Sequence, residues 1–143
     1  MKRIVFTLSA MLLAVSAQAA DRLNGTTWKT IDDETKQPKA LVKFTEQKDG
    51  SLSATIQTIL NPKEANSCTS CEGPYKNKSL KGVTIVKNLK NVGGNSYEGG
   101  TILDPKNGKS YKLKGELAGN QLKLRGYIGV AALGRNQVWV RAD

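Results

Sequence analysis

Apolar and polar residues alternate along most of the chain beyond residue 24. In the stretch 39–47, Ala40, Val42 and Phe44 alternate with Leu41, Lys43 and Thr45, the period-two pattern of a half-buried strand. The next run places Leu52, Ala54, Ile56, Thr58 and Leu60 on one face. Runs at 82–87 and 96–103 follow, and 109–117 carries Tyr111, Leu113, Gly115 and Leu117 on one side. In 121–130 the shared face holds Leu122, Leu124, Gly126 and Ile128. A short run at 25–31 opens the series and one at 135–141 closes it.

Turn chemistry separates these runs. Lys48-Asp49-Gly50, Gly119-Asn120 and Asp104-Pro105-Lys106-Asn107-Gly108 read as tight turns, because Gly takes positive φ, Pro presets φ and Asp or Asn bonds nearby backbone N–H groups. Residues 88–95 read as a further turn region ending in Gly93-Gly94-Asn95. Gly99-Gly100 inside a strand marks a bulge or sharp bend. Residues 61–79 break the alternation as a long loop holding Pro62, Pro74 and both cysteines, and such a loop in a compact domain is functional or poorly ordered. Apolar residues nowhere recur at helical spacing in the chain beyond the leader.

About eight short strands joined by hairpin-sized turns predict an all-β fold, an antiparallel barrel or sandwich. Taken in sequence order, they close an up-and-down barrel, which removes exposed edges. The low aromatic content, 6%, predicts a largely filled interior with a polar mouth.

The first residues stand outside this pattern. Lys2 and Arg3 precede an apolar run from Ile4 to Val15, and Ala17-Gln18-Ala19 offers a small-x-small cleavage signal. This predicts a secretory signal peptide over residues 1–19 and a single barrel domain over 20–143. The apolar run is short for a membrane span of about 20 residues, and no second one follows. The expected localisation is therefore periplasmic or secreted, with no transmembrane segment in the mature chain.

Charge adds less. Removing Lys2 and Arg3 takes the formal charge from +10 to +8. The lysines are spread along the strands rather than gathered in a block, as on a solvated basic surface. Export makes nucleic acid an unexpected partner, whereas an anionic ligand or envelope polymer fits the surplus.

The chain has no histidine. That excludes His-based acid/base catalysis, Ser-His or Cys-His nucleophile pairs and His-ligated metals. Two cysteines alone cannot close a thiolate zinc site. Asp32, Asp33 and Glu34 sit side by side in an exposed turn without a converging partner, so they do not form a hydrolase pair. No catalytic residue, metal or cofactor is expected.

Cys68-Thr69-Ser70-Cys71 is the sharpest motif. A redox centre needs a helix N-terminus to depress a thiol pKa, yet Glu72-Gly73-Pro74 follows. In an exported protein the pair reads as a disulfide stapling the loop, which stabilises by roughly 2 kcal/mol at most for so small a ring. A thiol–disulfide function at Cys68 and Cys71 stays open.

Trp28 and Trp139 lie in the first and last strands, which are neighbours in a closed barrel. Arg141 or Arg135 can then stack over an indole. If the leucine face of 121–130 is the core, Arg125 and Tyr127 face solvent or a partner; if not, they line a cavity suited to an anionic head group. A buried network of Arg125, Arg135 and Asp104 is a further option, although Asp104 beside Pro105 fits turn chemistry.

Several segments together resemble a known family. These are Gly25…Trp28-Lys29-Thr30, the Cys68/Cys71 loop, Leu80-x-Gly82, Gly99-Gly100-x-Ile102-x-Asp104-Pro105-x-Asn107-Gly108-Lys109-x-Tyr111, Arg125-Gly126-Tyr127-Ile128-Gly129 and Gly134-Arg135-x-x-x-Trp139-x-Arg141. They resemble a bacterial exported family catalogued as domain of unknown function 2147. The resemblance implies a small lipocalin-like, calycin-like barrel and supplies no catalytic residues. Lipocalins open with Gly-x-Trp, and here the spacing is one residue longer, Gly25-x-x-Trp28. The expected function is a non-enzymatic barrel that binds a small amphipathic or anionic ligand or an envelope component. Trp28, Tyr97, Arg125, Tyr127, Arg135 and Trp139 are the candidate contacts. The alternatives are a thiol–disulfide protein and a structural or interaction protein of the envelope.

Overall fold

The computed structural model describes Val5, residues 19–61, Cys71 and residues 73–143. Most of the expected signal peptide, and Cys68 of the cysteine pair, lie outside the described residues. Eight antiparallel strands follow one another around a closed barrel. They are β1 (Thr27–Ile31), β2 (Pro38–Glu46), β3 (Leu52–Ile59), β4 (Thr84–Gly93), β5 (Ser96–Leu103), β6 (Ser110–Ala118), β7 (Gln121–Tyr127) and β8 (Arg135–Arg141). β1 closes the barrel on β8, with Trp28 opposite Arg141. Helical structure among the described residues is confined to two short 3-10 turns, Gly73–Tyr75 and Ala131–Leu133.

The alternation read from the sequence sets which side chains point inward. Ala40, Val42 and Phe44 of β2, Leu52, Ala54 and Ile56 of β3, and Leu122 and Leu124 of β7 are all buried. The leucine face of β7 is thus the core face.

Three expectations shift. β4 runs on to Gly93, through the stretch expected to be a turn. Asn88 takes a positive φ of 59°, and the resulting irregularity turns Leu89 inward, fully buried opposite Leu52. In β3 the register slips between the partners of Leu41 and Val42. Thr58 and Leu60 therefore leave the core face, and Ile59 packs against the core instead. β7 ends at Tyr127 rather than Val130. The Gly99-Gly100 bulge is present: the β5–β6 register slips between Tyr97 and Gly100, and Gly99 has a φ of 77°.

An up-and-down barrel has two ends, and here they differ. At one end, the segment before β1 folds across the opening. Leu23 is fully buried there; Thr26 Oγ1 donates to its carbonyl at 2.6 Å, and Trp28 Nε1 donates to that Oγ1 at 2.7 Å. Trp28, Phe44, Leu52, Leu89, Tyr97 and Leu122 fill this closed half and are almost completely buried. Each such side chain contributes roughly 1.5–3 kcal/mol of transfer free energy. The Arg141 guanidinium lies over the Trp28 ring, 5.9 Å from its centroid, in the cation–π geometry expected for adjoining first and last strands. The other end carries the β1–β2, β3–β4, β5–β6 and β7–β8 connections, and among the described residues no segment closes it.

Candidate functional site

Tight turns build the open end. Asp32, just after β1, accepts hydrogen bonds on Oδ1 from the backbone N–H groups of Glu34 and Thr35, both at 2.9 Å. The β5–β6 turn uses the same device: Asp104 Oδ1 accepts from Lys106 N at 2.9 Å, Asn107 Oδ1 accepts from Lys109 N at 2.8 Å, and Gly108 supplies the positive φ. Asp104 therefore does turn chemistry, as its sequence context predicts.

These turns converge over the barrel. Lys106 Nζ lies 3.6 Å from Asp32 Oδ2, and Arg135 Nε lies 2.9 Å from Asp33 Oδ2. The acidic turn, expected to be exposed and without a partner, is thus bridged to the β5–β6 turn and to the start of β8. The proposed Arg125–Arg135–Asp104 network does not form, because Arg135 is held by Asp33 and Asp104 by its own turn. Hydrogen bonds from Thr35 N and then Glu34 N hold the Asp32 carboxyl down at about 2, and the Lys106 and Lys39 charges act in the same direction.

Below the bridges lies a chamber of about 430 Å³. Its walls carry Asp32, Asp33, Glu34, Lys39, Lys106 and Arg135, together with Tyr111, Tyr127, Ile102, Leu113 and Leu124. A smaller cavity of about 100 Å³ adjoins it, with Lys39, Ile102, Asp104, Lys106 and Gln137 common to both walls. The inner walls are mainly apolar, with Val42, Ile56, Ile59, Leu80, Ile85 and Trp139. Trp139 marks the floor. Its ring packs against Phe44 of the filled half at 6.1 Å between centroids, and its Nε1 donates to Gln137 Oε1 at 3.3 Å. The interior is therefore filled in its lower half only, whereas the sequence reading expected it largely filled. A polar mouth leads into an apolar end, and the volume falls in the range of small-molecule sites.

The six candidate contacts divide. Tyr127 and Arg135 line the chamber and Trp139 the inner cavity. Trp28 and Tyr97 belong to the closed half, where Tyr97 donates its hydroxyl to Asp21 Oδ1 at 2.8 Å. Burial, chiefly, pushes the Tyr97 hydroxyl up to about 12. Arg125 lies on the outer face: Nη1 donates to Asn136 Oδ1 at 2.6 Å and Nη2 to the Ala132 carbonyl at 3.2 Å.

Sequence reading did not single out Lys39, Lys106 or Tyr111 as site residues. Lys39 sits where the two cavities meet and makes no salt bridge with a described residue, whereas Lys106 and Arg135 do. Lys39 falls where the β1–β2 register slips, between the Thr30–Ala40 and Ile31–Pro38 pairs, which the alternation of β2 does not reveal. Cys71 is buried, and no described cysteine is a free thiol. Among the described residues, no three of His, Cys, Asp and Glu gather to hold a metal ion. No described helix is long and apolar enough to cross a membrane.

Comparisons with known proteins agree with this architecture. A solved structure of protein HP1028 from Helicobacter pylori, described as belonging to the lipocalin family, superposes with a TM-score of 0.73 at 25% identity, covering 85% of this chain and 83% of that one. No curated protein matches the chain. The family model described as "Uncharacterized protein conserved in bacteria (DUF2147)" matches residues 26–141, from the foot of β1 to the end of β8. The chain thus belongs to the DUF2147 family, and within it folds as an eight-stranded lipocalin-like barrel.

Proposed function

We propose that the chain is an exported, non-enzymatic binding protein that holds one small amphipathic molecule in the open half of its barrel. The ligand's apolar part occupies the inner cavity against Trp139, Ile56 and Ile85. An anionic head sits in the chamber, where Lys39 makes no salt bridge with a described residue and Tyr127 and Arg135 line the wall. One observation carries this reading: a chamber of about 430 Å³ with charged walls opens onto an apolar end with a tryptophan floor. The lipocalin-family description of the superposable Helicobacter pylori protein supports small-ligand binding at the level of fold.

Export rests on the leader-like residues 1–19. Cys68 and Cys71 pair as a structural staple in this reading; the burial of Cys71 and the absence of a free thiol among the described cysteines support it. A buried, paired cysteine is also a poor redox centre, which disfavours the thiol–disulfide alternative.

Native mass spectrometry of gently purified protein, followed by titration with a medium-chain fatty acid, tests the proposal. Saturable one-to-one binding is expected, with affinity falling on the order of tenfold in Lys39→Gln as a charge-assisted contact is lost. A bare protein that binds neither fatty acids nor other amphipathic anions would overturn it.

A further inference from the structure

The connection between β7 and β8 reads Ile128-Gly129-Val130-Ala131-Ala132-Leu133-Gly134 and contains no polar side chain. It sits at the rim of the open end and projects its apolar groups outward. Ile128 is 64% exposed, Val130 60% and Leu133 79%. The other exposed large apolar residues among those described beyond residue 19 fall singly in separate places along the chain: Leu60 just after β3, Val92 in β4 and Val138 in β8. Single exposed apolar side chains need no explanation, whereas a cluster does.

The loop backbone is fixed. Residues Ala131–Leu133 form a 3-10 turn, Leu133 N donates to the Val130 carbonyl at 3.1 Å, and Arg125 Nη2 donates to the Ala132 carbonyl. At its exit Gly134 is pressed against β7, since a Cβ there would meet the Gly126 carbonyl oxygen at 2.7 Å. The apolar tip is thus held out by the fold rather than left uncollapsed.

The surroundings are basic. The connections at the same end carry exposed Lys36, Lys76, Lys78, Lys81 and Lys109. Two of the carboxylates at this end, Asp32 and Asp33, are already bridged to Lys106 and Arg135. Apolar side chains projecting from a ring of lysines match the depth profile of an anionic bilayer, with acyl chains below and anionic headgroups at the surface. A protein partner fits less well, because one loop tip is far smaller than the roughly 800 Å² per side of a standard interface.

We infer that residues 128–134 are an interfacial anchor that seats the mouth of the barrel on a lipid surface bearing anionic headgroups. Ile128 and Leu133 also line the chamber, so docking sets the chamber's opening against the headgroup layer. An amphipathic molecule then passes between bilayer and barrel without crossing bulk water. That transfer rests on the ligand reading above; the docking itself does not.

Flotation of residues 20–143, which contain the whole closed barrel but not the apolar leader, tests the docking on vesicles of phosphatidylcholine with and without phosphatidylglycerol. Binding is expected with the anionic lipid. The triple variant Ile128→Ser, Val130→Ser, Leu133→Ser is expected to lose on the order of tenfold or more in partitioning, with an unchanged circular dichroism spectrum. Val92→Ser, near the closed end, serves as the control and should bind as the parent does. A Leu133→Trp variant is expected to gain emission that bromine-labelled acyl chains quench. Absence of vesicle binding would overturn the inference. So would binding that survives the triple substitution and disappears in salt, since the lysines alone would then account for it. Ligand titration of Val130→Asp, at the large apolar side chain of the loop that does not line the chamber, separates the two proposals: it keeps fatty-acid affinity and loses vesicle partitioning if the chamber works and only the anchor is lost.

Discussion

The same eight strands make a closed end that is solid and an open end that is hollow. At the closed end the inward residues are Trp28, Phe44, Leu52, Leu89, Tyr97 and Leu122, and the segment before β1 adds Leu23 as a plug. At the open end the inward positions carry Lys39, Gly126 and Gln137, with Ile102 and Leu113 between them. Large apolar groups that meet across the barrel axis exclude water. Glycine and long polar side chains that reach for the rim leave space behind. Stability and binding are thereby assigned to different halves of one sheet, and substitutions should separate them.

The largest separation is expected from Trp28→Ala. It empties a fully buried indole site, removes the Arg141 stack and breaks the bond to Thr26. Truncation of a buried Trp destabilises by about 3–5 kcal/mol, readable as a fall in the denaturation midpoint at unchanged slope. Under conditions where the variant is still folded, its affinity for an amphipathic ligand should match the parent's. A parallel loss of affinity would mean that the two halves are not independent.

Gly134→Ala reverses the test at the mouth. The new Cβ would lie 2.7 Å from a backbone oxygen of β7 and 2.9 Å from Tyr127 Cβ. Neither neighbour is a flexible side-chain end, so the chamber wall must shift. Overpacking of this kind destabilises by about 1–3 kcal/mol. Ligand affinity should fall more than stability does, which calorimetric titration beside thermal unfolding would show.

Most of the barrel was legible in the sequence, because a half-buried sheet writes its register as alternation. Turn residues marked where each run ended: Asp49-Gly50, Asp104 to Gly108 and Gly119-Asn120 all turn where their chemistry predicts. Alternation misleads where the chain adds a residue. Asn88 puts Leu89 out of phase in β4, and the slip in β3 exchanges Ile59 for Leu60. The site was less legible. Asp32, Lys106 and Arg135 are far apart in sequence; Asp32 and Lys106 read singly as turn residues, and Arg135, although named as a candidate contact, showed no partner in the sequence. Only closure of the barrel brings their connections to one end. The aromatics drew attention as ligand contacts, but Trp28 and Tyr97 sit at the closed end, and nothing in their local sequence distinguishes them from Trp139 on the chamber floor.

A smaller contrast is expected from Tyr97→Phe, which removes the hydrogen bond to Asp21 and should destabilise by about 1 kcal/mol. The same group gives a spectroscopic handle. Its folded pKa, about 12, lies above the ordinary 10.0, so its contribution is fully present below pH 10 and is lost as pH rises through 12. In an ultraviolet titration of the folded protein, Tyr97 should ionise above the ordinary tyrosine value. Tyr97→Phe should delete that late step.

The weakest expected effect, and the most local, is the acid response of the mouth. Asp32 titrates at about 2 in the fold against an ordinary 3.8. A carboxyl depressed by folding binds fewer protons in the native state than in the unfolded one. Its stabilisation is therefore complete above pH 3.8 and fades as pH falls toward 2. Because the largest causes are hydrogen bonds from Thr35 N and Glu34 N, salt should change this window little, whereas the outer bridge to Lys106 is open to screening. Asp32→Asn keeps an acceptor oxygen for the turn but cannot titrate. Its deficit in melting temperature should be full at pH 7 and small by pH 2. An equal deficit at both pH values would mean that the turn, rather than the charge, is what Asp32 contributes to the mouth.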